Sequence, residues 1–188
     1  MTSAAENARS DHGDLTGRIL DAARRLVLQS GTRKLSLTEV AAVAGVSRQS
    51  IYRYFLSKEE LIDALGKHEY QRFNAAMERA IEGHTGRARM EAALDVVATV
   101  LQDQPPRRTV DLDPRFAHEQ IVGALPVITE GLVDVIRRCQ RDGMQLAAAP
   151  RDLAAAIART VLSNYTFPDQ DAAAARRQIR AIVGLSAD

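Results

Sequence analysis

Apolar side chains recur at intervals of three and four along nearly the whole chain, and the alternating β-branched runs of half-buried strands are missing, which predicts an all-α protein. The first stripe is Leu15, Ile19, Ala22, Ala23, Leu26 and Val27, with Arg18, Asp21, Arg24 and Arg25 facing away: an amphipathic helix closed by Gly31. Ser36 and Glu39 stand at capping-box spacing and open a second helix, whose buried side is Leu37, Val40, Ala41 and Ala44 and whose end is Gly45. Ser47 is placed to cap a short third helix through Phe55. Ser57 with Glu60 makes another capping box, which opens a fourth.

The fourth helix is long, from Lys58 to about Gly83, and its stripe is Leu61, Leu65, Phe73, Met77 and Ile81. After a break at Gly83 to Gly86, a fifth helix carries Met90, Leu94, Val97 and Leu101, and Pro105-Pro106 stops it because neither proline can donate to the ladder. Arg107 to Asp113 reads as loop. Helices six and seven span Pro114 to Arg141 with a boundary near Pro126, a residue that suits a first turn better than a helix middle. Asp152 to Tyr165 and Ala172 to Leu185 are the last two, with Pro168 between them, for about nine helices in all. Met1 to Asp14 is polar and lacks the apolar stretch of a signal peptide, so residues 1–13 are expected to be a disordered arm.

Composition narrows the class. Hydrophobic residues make up 46% and charged residues 26%, with no apolar run of membrane-spanning length, so a globular protein without a membrane role is expected. Cys139 is the single cysteine, which excludes an intrachain disulfide and a cysteine zinc site and makes a reducing cytoplasm the simplest home. His12, His68, His84 and His118 lack the i, i+4 pairing of helical metal ligands, and no glycine-rich phosphate loop or catalytic grouping is present. No metal, no cofactor and no enzymatic activity are therefore expected. The net charge is only +1, so attraction to nucleic acid would have to come from local distribution, and 4% aromatic residues with no Trp argues against base-stacking surfaces.

Such a local signal lies in residues 36–60. Gly45 supplies a tight turn, the small alanines 41 and 44 let two helices approach, and Val46 and Ile51 are placed to pack inward and fix the angle between them. That arrangement is a helix-turn-helix, and it leaves Arg48, Gln49 and Ser50 at the N-terminus of the second helix, the end that enters a major groove. Arg can pair with guanine and Gln with adenine through two hydrogen bonds each. From Val40 to Lys58 there is no acid, against Arg48, Arg53 and Lys58, so basic charge gathers where a phosphate backbone would lie. The alternative is that Tyr52 and Tyr54 are half-buried core aromatics and Arg48 and Arg53 solvated surface.

The run Gly45-Val-Ser-Arg-Gln-Ser-Ile-Tyr-Arg-Tyr-Phe-Leu-Ser-Lys-Glu-Glu-Leu61 resembles the TetR-family signature: a Gly-Val-Ser turn, a short recognition helix ending in Tyr-x-(Tyr/His)-Phe, and a Lys-(Glu/Asp)-(Glu/Asp)-Leu start to a long fourth helix. The resemblance implies that Thr38, Arg48 and Gln49 sit near base edges and that Ser36, Ser47, Ser50, Tyr52, Tyr54 and Lys58 lie near phosphates of double-stranded DNA. Two positions depart from the family pattern, Gln49 where Gly or Pro is frequent and Leu56 where Lys or Gly is frequent. Operator sequence is therefore not transferable.

The resemblance also implies three regions: the arm, a DNA-binding domain at 14–60, and a ligand-binding and dimerisation bundle at 61–188. Helices four to seven would enclose a small, largely apolar inducer. Apolar candidates are Leu65, Phe73, Met77, Met90, Leu94, Val97, Phe116 and Ile128, and polar ones are His68, Asn74, His118 and Gln120; the alternative for each is a plain core role. Stripes at Leu153, Ile157, Val161, Ile179, Ile182 and Val183, with Ala154, Ala155, Ala158 and Ala172 to Ala175, point to homodimerisation through the last two helices, as a two-fold symmetric site requires. A ligand-released repressor is the expectation. The competing one is a regulator of the same fold gated by a protein partner or by oxidation of Cys139.

Overall fold

The computed structural model of the chain describes residues 2–102, 113–167, 171 and 173–185. These form eight α-helices and no strand: α1 (Thr2–Ser30), α2 (Leu37–Ala44), α3 (Arg48–Tyr54), α4 (Lys58–Ile81), α5 (Gly86–Gln102), α6 (Pro114–Arg141), α7 (Pro150–Thr166) and α8 (Ala174–Ile182), with a 3-10 turn at Thr32–Lys34 after α1. Helix α1 begins at Thr2, so the segment expected to be a disordered arm is helical backbone continuous with the amphipathic stripe. Its polar, Ala-containing sequence offers no stripe of its own. Periodicity therefore could not find that part of the helix.

Proline 126 gave a second false boundary. Helix α6 runs through it without a break. Pro126 lacks the N–H that would have met the carbonyl of Val122, but both residues are exposed, so water can take that carbonyl and the helix continues. The proline pair after α5 and most of the predicted loop, residues 105–112, lie outside the described residues.

The described residues divide into two compact units. The first holds residues up to Arg72 with 113–116, and the second holds 73–102 with 117–185. The division therefore falls within α4, twelve residues beyond the expected boundary at 60. In the first unit Ile19, Ala22, Ala23 and Leu26 of α1 pack with Leu37, Val40 and Ala44 of α2, Ile51 of α3, and Leu61 and Leu65 of α4. In the second, Met77 and Ile81 of α4, Met90, Leu94 and Val97 of α5, and Leu132, Ile136 and Cys139 of α6 form one interior with α7 and α8.

That interior corrects the proposed dimer stripe. Leu153, Ala154, Ile157, Ala158 and Val161 of α7, Ala174, Ala175 and Ile179 of α8, and the following Val183, are buried within the subunit, and Ile182 packs against them. A stripe spent on the protein's own core cannot also be a contact face. The outward side of these two helices is instead Ala156, Arg159 and Ser163 on α7 and Arg177, Gln178 and Ala181 on α8, small and polar. Ala172 lies outside the described residues.

Candidate nucleic-acid interface

The two helices of the predicted motif are held by caps that the sequence announces. Ser36 Oγ accepts the Glu39 N–H at 3.2 Å to start α2. Gly45, at φ 68°, ends it in the left-handed region, where the Gly45 N–H donates to Ala42 O at 3.3 Å and the Val46 N–H to Ala41 O at 3.0 Å. This paired closure takes the hydrogen bonds out of helical register and, with Gly45 left-handed, turns the chain sharply toward α3. An added Cβ at Gly45 would also stand 3.4 Å from Arg18 Nη2, which donates to Ala44 O at 2.9 Å and ties α1 to the end of α2. Ser47 Oγ then accepts the Ser50 N–H at 2.9 Å to start α3.

Below this surface Ile51 is fully buried with Val40, Ala41 and Ala44, and Val46 is half-buried against them, as the sequence predicted. Burial of one face of α3 presents the other. Thr38, Ser47, Arg48 and Gln49 are exposed, with Ser36 beside the start of α2; Ser50 is half-buried, and Tyr52 is 42% exposed. Ser36 and Ser47 use an oxygen lone pair for capping, and the hydroxyl hydrogen remains a donor suited to a phosphate oxygen. For Ser47 that hydrogen is in competition, because its Oγ lies 2.8 Å from Ser50 Oγ.

Tyr54 is half-buried and packs against the head's core, so its aromatic part has the structural role that the sequence left open. Its ring also carries Arg53, whose guanidinium carbon lies 5.6 Å from the centroid, a cation–π contact that restricts an exposed cation. Lys58 is half-buried and its Nζ donates to Arg33 O at 3.4 Å, which leaves two ammonium hydrogens for another acceptor. In the capping box that follows, the Glu60 N–H donates to Ser57 Oγ at 3.1 Å, while Glu60 Oε2 accepts from the Leu56 N–H at 2.7 Å, one residue before the expected partner. Leu56 itself is 80% exposed.

Sequence reasoning passed over a buried polar pair. Thr32 Oγ1 donates to Asp113 Oδ2, and Asp113 Oδ1 accepts the Phe116 N–H at 3.3 Å, so one carboxylate anchors the 3-10 turn and caps α6. The hydrogen bond from Thr32 is the main reason the Asp113 carboxyl titrates below its ordinary value; burial opposes it, and the Phe116 N–H and the charge of Arg33 assist. An Asp followed by Pro114 at the first helical position was the available signal, an N-cap with N1 proline.

The ligand candidates separate. Leu65 and Phe116 belong to the core of the first unit, whereas Met77, Met90, Leu94 and Val97 lie in that of the second, with Phe73 and Ile128 packed against it. Asn74 is half-buried, and His118 and Gln120 are exposed. His68 Nε2 stands 3.8 Å from Asp21 Oδ1. Cys139 is fully buried, and burial pushes its thiol pKa up, both of which oppose the reactive thiolate that redox gating needs. Among the described residues no group of three His, Cys, Asp or Glu side chains could hold a metal ion.

A capped, glycine-turned pair of short helices with one buried face and one polar, basic face defines a helix-turn-helix protein of the all-α class. Residues 19–65 match the family described as bacterial regulatory proteins, tetR family. The HTH-type transcriptional repressor LfrR of Mycolicibacterium smegmatis is 32% identical over 126 residues, 66% of this chain and 64% of that relative. The match thus spans just under two thirds of the relative's length. Two solved structures share the fold: the fatty acid degradation regulator FadR of Bacillus halodurans (16% identity, 90% of this chain and 94% of that one, TM-score 0.70) and SmeT in a complex with triclosan (20% identity, 90% and 88%, TM-score 0.63). Through residues 19–65 the chain is thus similar to the TetR family of bacterial regulators, and the solved structures share its fold.

Proposed function

We propose that the chain is a cytoplasmic repressor that binds a palindromic operator as a homodimer and is released by a small, largely apolar molecule. The observation that carries the DNA reading is Arg48 and Gln49, exposed at the N-terminus of α3 and held there by the Ser47 cap and the buried Ile51. Thr38 joins them as a base reader from the first turns of α2. Ser36, Ser47, Ser50, Tyr52, Tyr54 and Lys58 act on phosphates, Tyr54 in addition by steadying Arg53. The first compact unit, which carries the helix-turn-helix, is the DNA-binding part, and the second unit is the regulatory one.

The test is a gel-shift titration on duplexes selected from random sequence by the wild-type chain. Arg48→Ala is expected to cost about 1–3 kcal/mol at particular base pairs and little elsewhere. Tyr52→Phe and Lys58→Ala are expected to weaken binding to all sequences alike. Equal loss on every sequence for Arg48→Ala would remove its base-reading role.

Ligand gating is supported by the SmeT structure, whose partner is triclosan. The corresponding candidates here are those of the second unit, Phe73, Met77, Met90, Leu94, Val97 and Ile128 in its apolar interior with Asn74, His118 and Gln120 as polar contacts, whereas Leu65, His68 and Phe116 belong to the first unit and are not part of this proposed site. Adding apolar compounds to the preformed DNA complex tests this: some should release the duplex, and retention with all of a broad set counts against gating. Two-fold symmetry is proposed because one α3 spans too few base pairs for a useful site. Since the apolar stripes of α7 and α8 are buried, the outer side of the pair, Ala156, Arg159, Ser163 and Ala181, is the proposed contact. Sedimentation should give a dimer at micromolar concentration; a monomer would contradict the symmetric reading.

A further inference from the structure

The head holds cations that the helix-turn-helix does not account for. Across residues 22–58 the only acid is Glu39, against Arg24, Arg25, Arg33, Lys34, Arg48, Arg53 and Lys58, in a chain whose net charge is +1. Arg24 is paired with Glu69 at 3.1 Å, and Arg25 Nε donates to the Asp21 carbonyl at 3.4 Å. Arg48, Arg53 and Lys58 belong to the surface already described. Arg33 and Lys34 remain, both exposed and, among the described residues, neither held in an ion pair.

Their backbone is fixed on both sides and from outside. The Gly31 N–H donates to Val27 O at 2.9 Å, buried Thr32 donates to Asp113, Leu35 is buried in the head's core, and Lys58 Nζ donates to Arg33 O at 3.4 Å. The last contact brings the 3-10 turn to the first residue of α4, whose side chain is one of the proposed phosphate contacts. Two residues after Lys34, Ser36 begins the exposed edge of α2. Basic side chains thus project from a pinned turn continuous with the reading surface. Asp113 is near enough to feel the charge of Arg33, but that carboxylate is buried and already accepts from Thr32 and the Phe116 N–H.

We propose that the turn Thr32–Lys34 is a second phosphate-gripping element, in which Arg33 and Lys34 extend the DNA contact past Lys58 along the sugar-phosphate backbone. The inference rests on the DNA reading above and adds two residues that the helix-turn-helix motif does not contain. Contacts of this kind carry no sequence information; they raise affinity through counterion release and position the reading helix.

The salt dependence of binding tests it, using the full chain with a duplex selected by the wild type and with an unselected duplex. Each phosphate contact contributes about 0.9 to the slope of log K against log salt, so Arg33→Gln/Lys34→Gln is expected to lower the slope by about 1–2 on both duplexes. Their affinity ratio should stay within about twofold, since base contacts are untouched. The charge-preserving Arg33→Lys/Lys34→Arg should keep the wild-type slope, and both variants should melt with the wild type because the side chains are exposed. An unchanged slope in the neutral variant, with wild-type binding intact, overturns the inference alone. A lost affinity ratio, or failure of the charge-preserving variant to keep the slope, also overturns it. Failure of the wild-type chain to bind any duplex overturns the DNA reading itself.

Discussion

Ile51→Ala is expected to lower the stability of the first unit by about 2–5 kcal/mol, the usual range for a large-to-small change in a packed interior. Ile51 is fully buried and is the only residue of α3 in that class, so it is the helix's deepest anchor into the core beneath it, with half-buried Tyr54 packed beside that core. Three of the partners are Val40, Ala41 and Ala44, all on α2, and two are already alanine, so little neighbouring side chain can move into the void. The second unit has its own interior around Met90, Leu94, Leu132 and Ile136, which among the described residues contains none of α1 to α3. Amide hydrogen exchange should therefore show protection lost across α2 and α3 while α6 and α7 keep theirs. DNA binding should fall for every sequence, because the whole recognition helix is displaced. Uniform loss of protection through both units would mean that they unfold as one and would defeat this prediction.

The parts legible in the sequence are those fixed by local chemistry. Ser36, Gly45, Ser47 and Ser57 each act within four residues of their own position, and each does in the structure what its residue type and spacing announced. The identity of the buried side of each helix was also legible, since burial of one face is written as a period. What that face packs against was not. The Leu153, Ile157 and Val161 stripe is equally compatible with a partner subunit and with the chain's own α5 and α6, and only the tertiary arrangement assigns it to the core.

Other failures have the same cause at different ranges. Pro126 was read by its local cost, which is small here because the unpaired carbonyl belongs to exposed Val122. Helix at residues 2–14 carries no apolar stripe to betray it. Arg33 and Lys34 became visible as part of the surface only when Lys58 Nζ met the Arg33 carbonyl across 25 residues, and Thr32 found Asp113 across 81. Local spacing is silent on such meetings.

Asp113→Ala is expected to cost about 2–4 kcal/mol at neutral pH, since a charged hydrogen bond and a helix N-cap are lost together. Asp113 is only 7% exposed, so water is poorly placed to replace its oxygens, and the Thr32 hydroxyl is left buried without its acceptor. Asp113→Asn should cost less: its carbonyl oxygen can keep the Phe116 N–H, and its amide can donate to the Thr32 oxygen. The two variants also separate the charge from the geometry. The carboxyl titrates below its ordinary value of 3.8 in the folded chain, so the folded state binds this proton more weakly than the unfolded one. Its contribution is therefore complete above the unfolded value and fades as pH falls through the lower folded value. Urea unfolding should give a difference between wild type and Asp113→Asn that is flat from about pH 5 to 8 and shrinks only below about pH 4. A difference that changed across the neutral range would assign the effect to another group. Because Thr32 opens the turn that carries Arg33 and Lys34, Asp113→Ala should also reduce the salt slope of DNA binding without changing sequence preference, whereas Asp113→Asn should leave that slope near the wild-type value; a loss of preference instead would place the damage in α3.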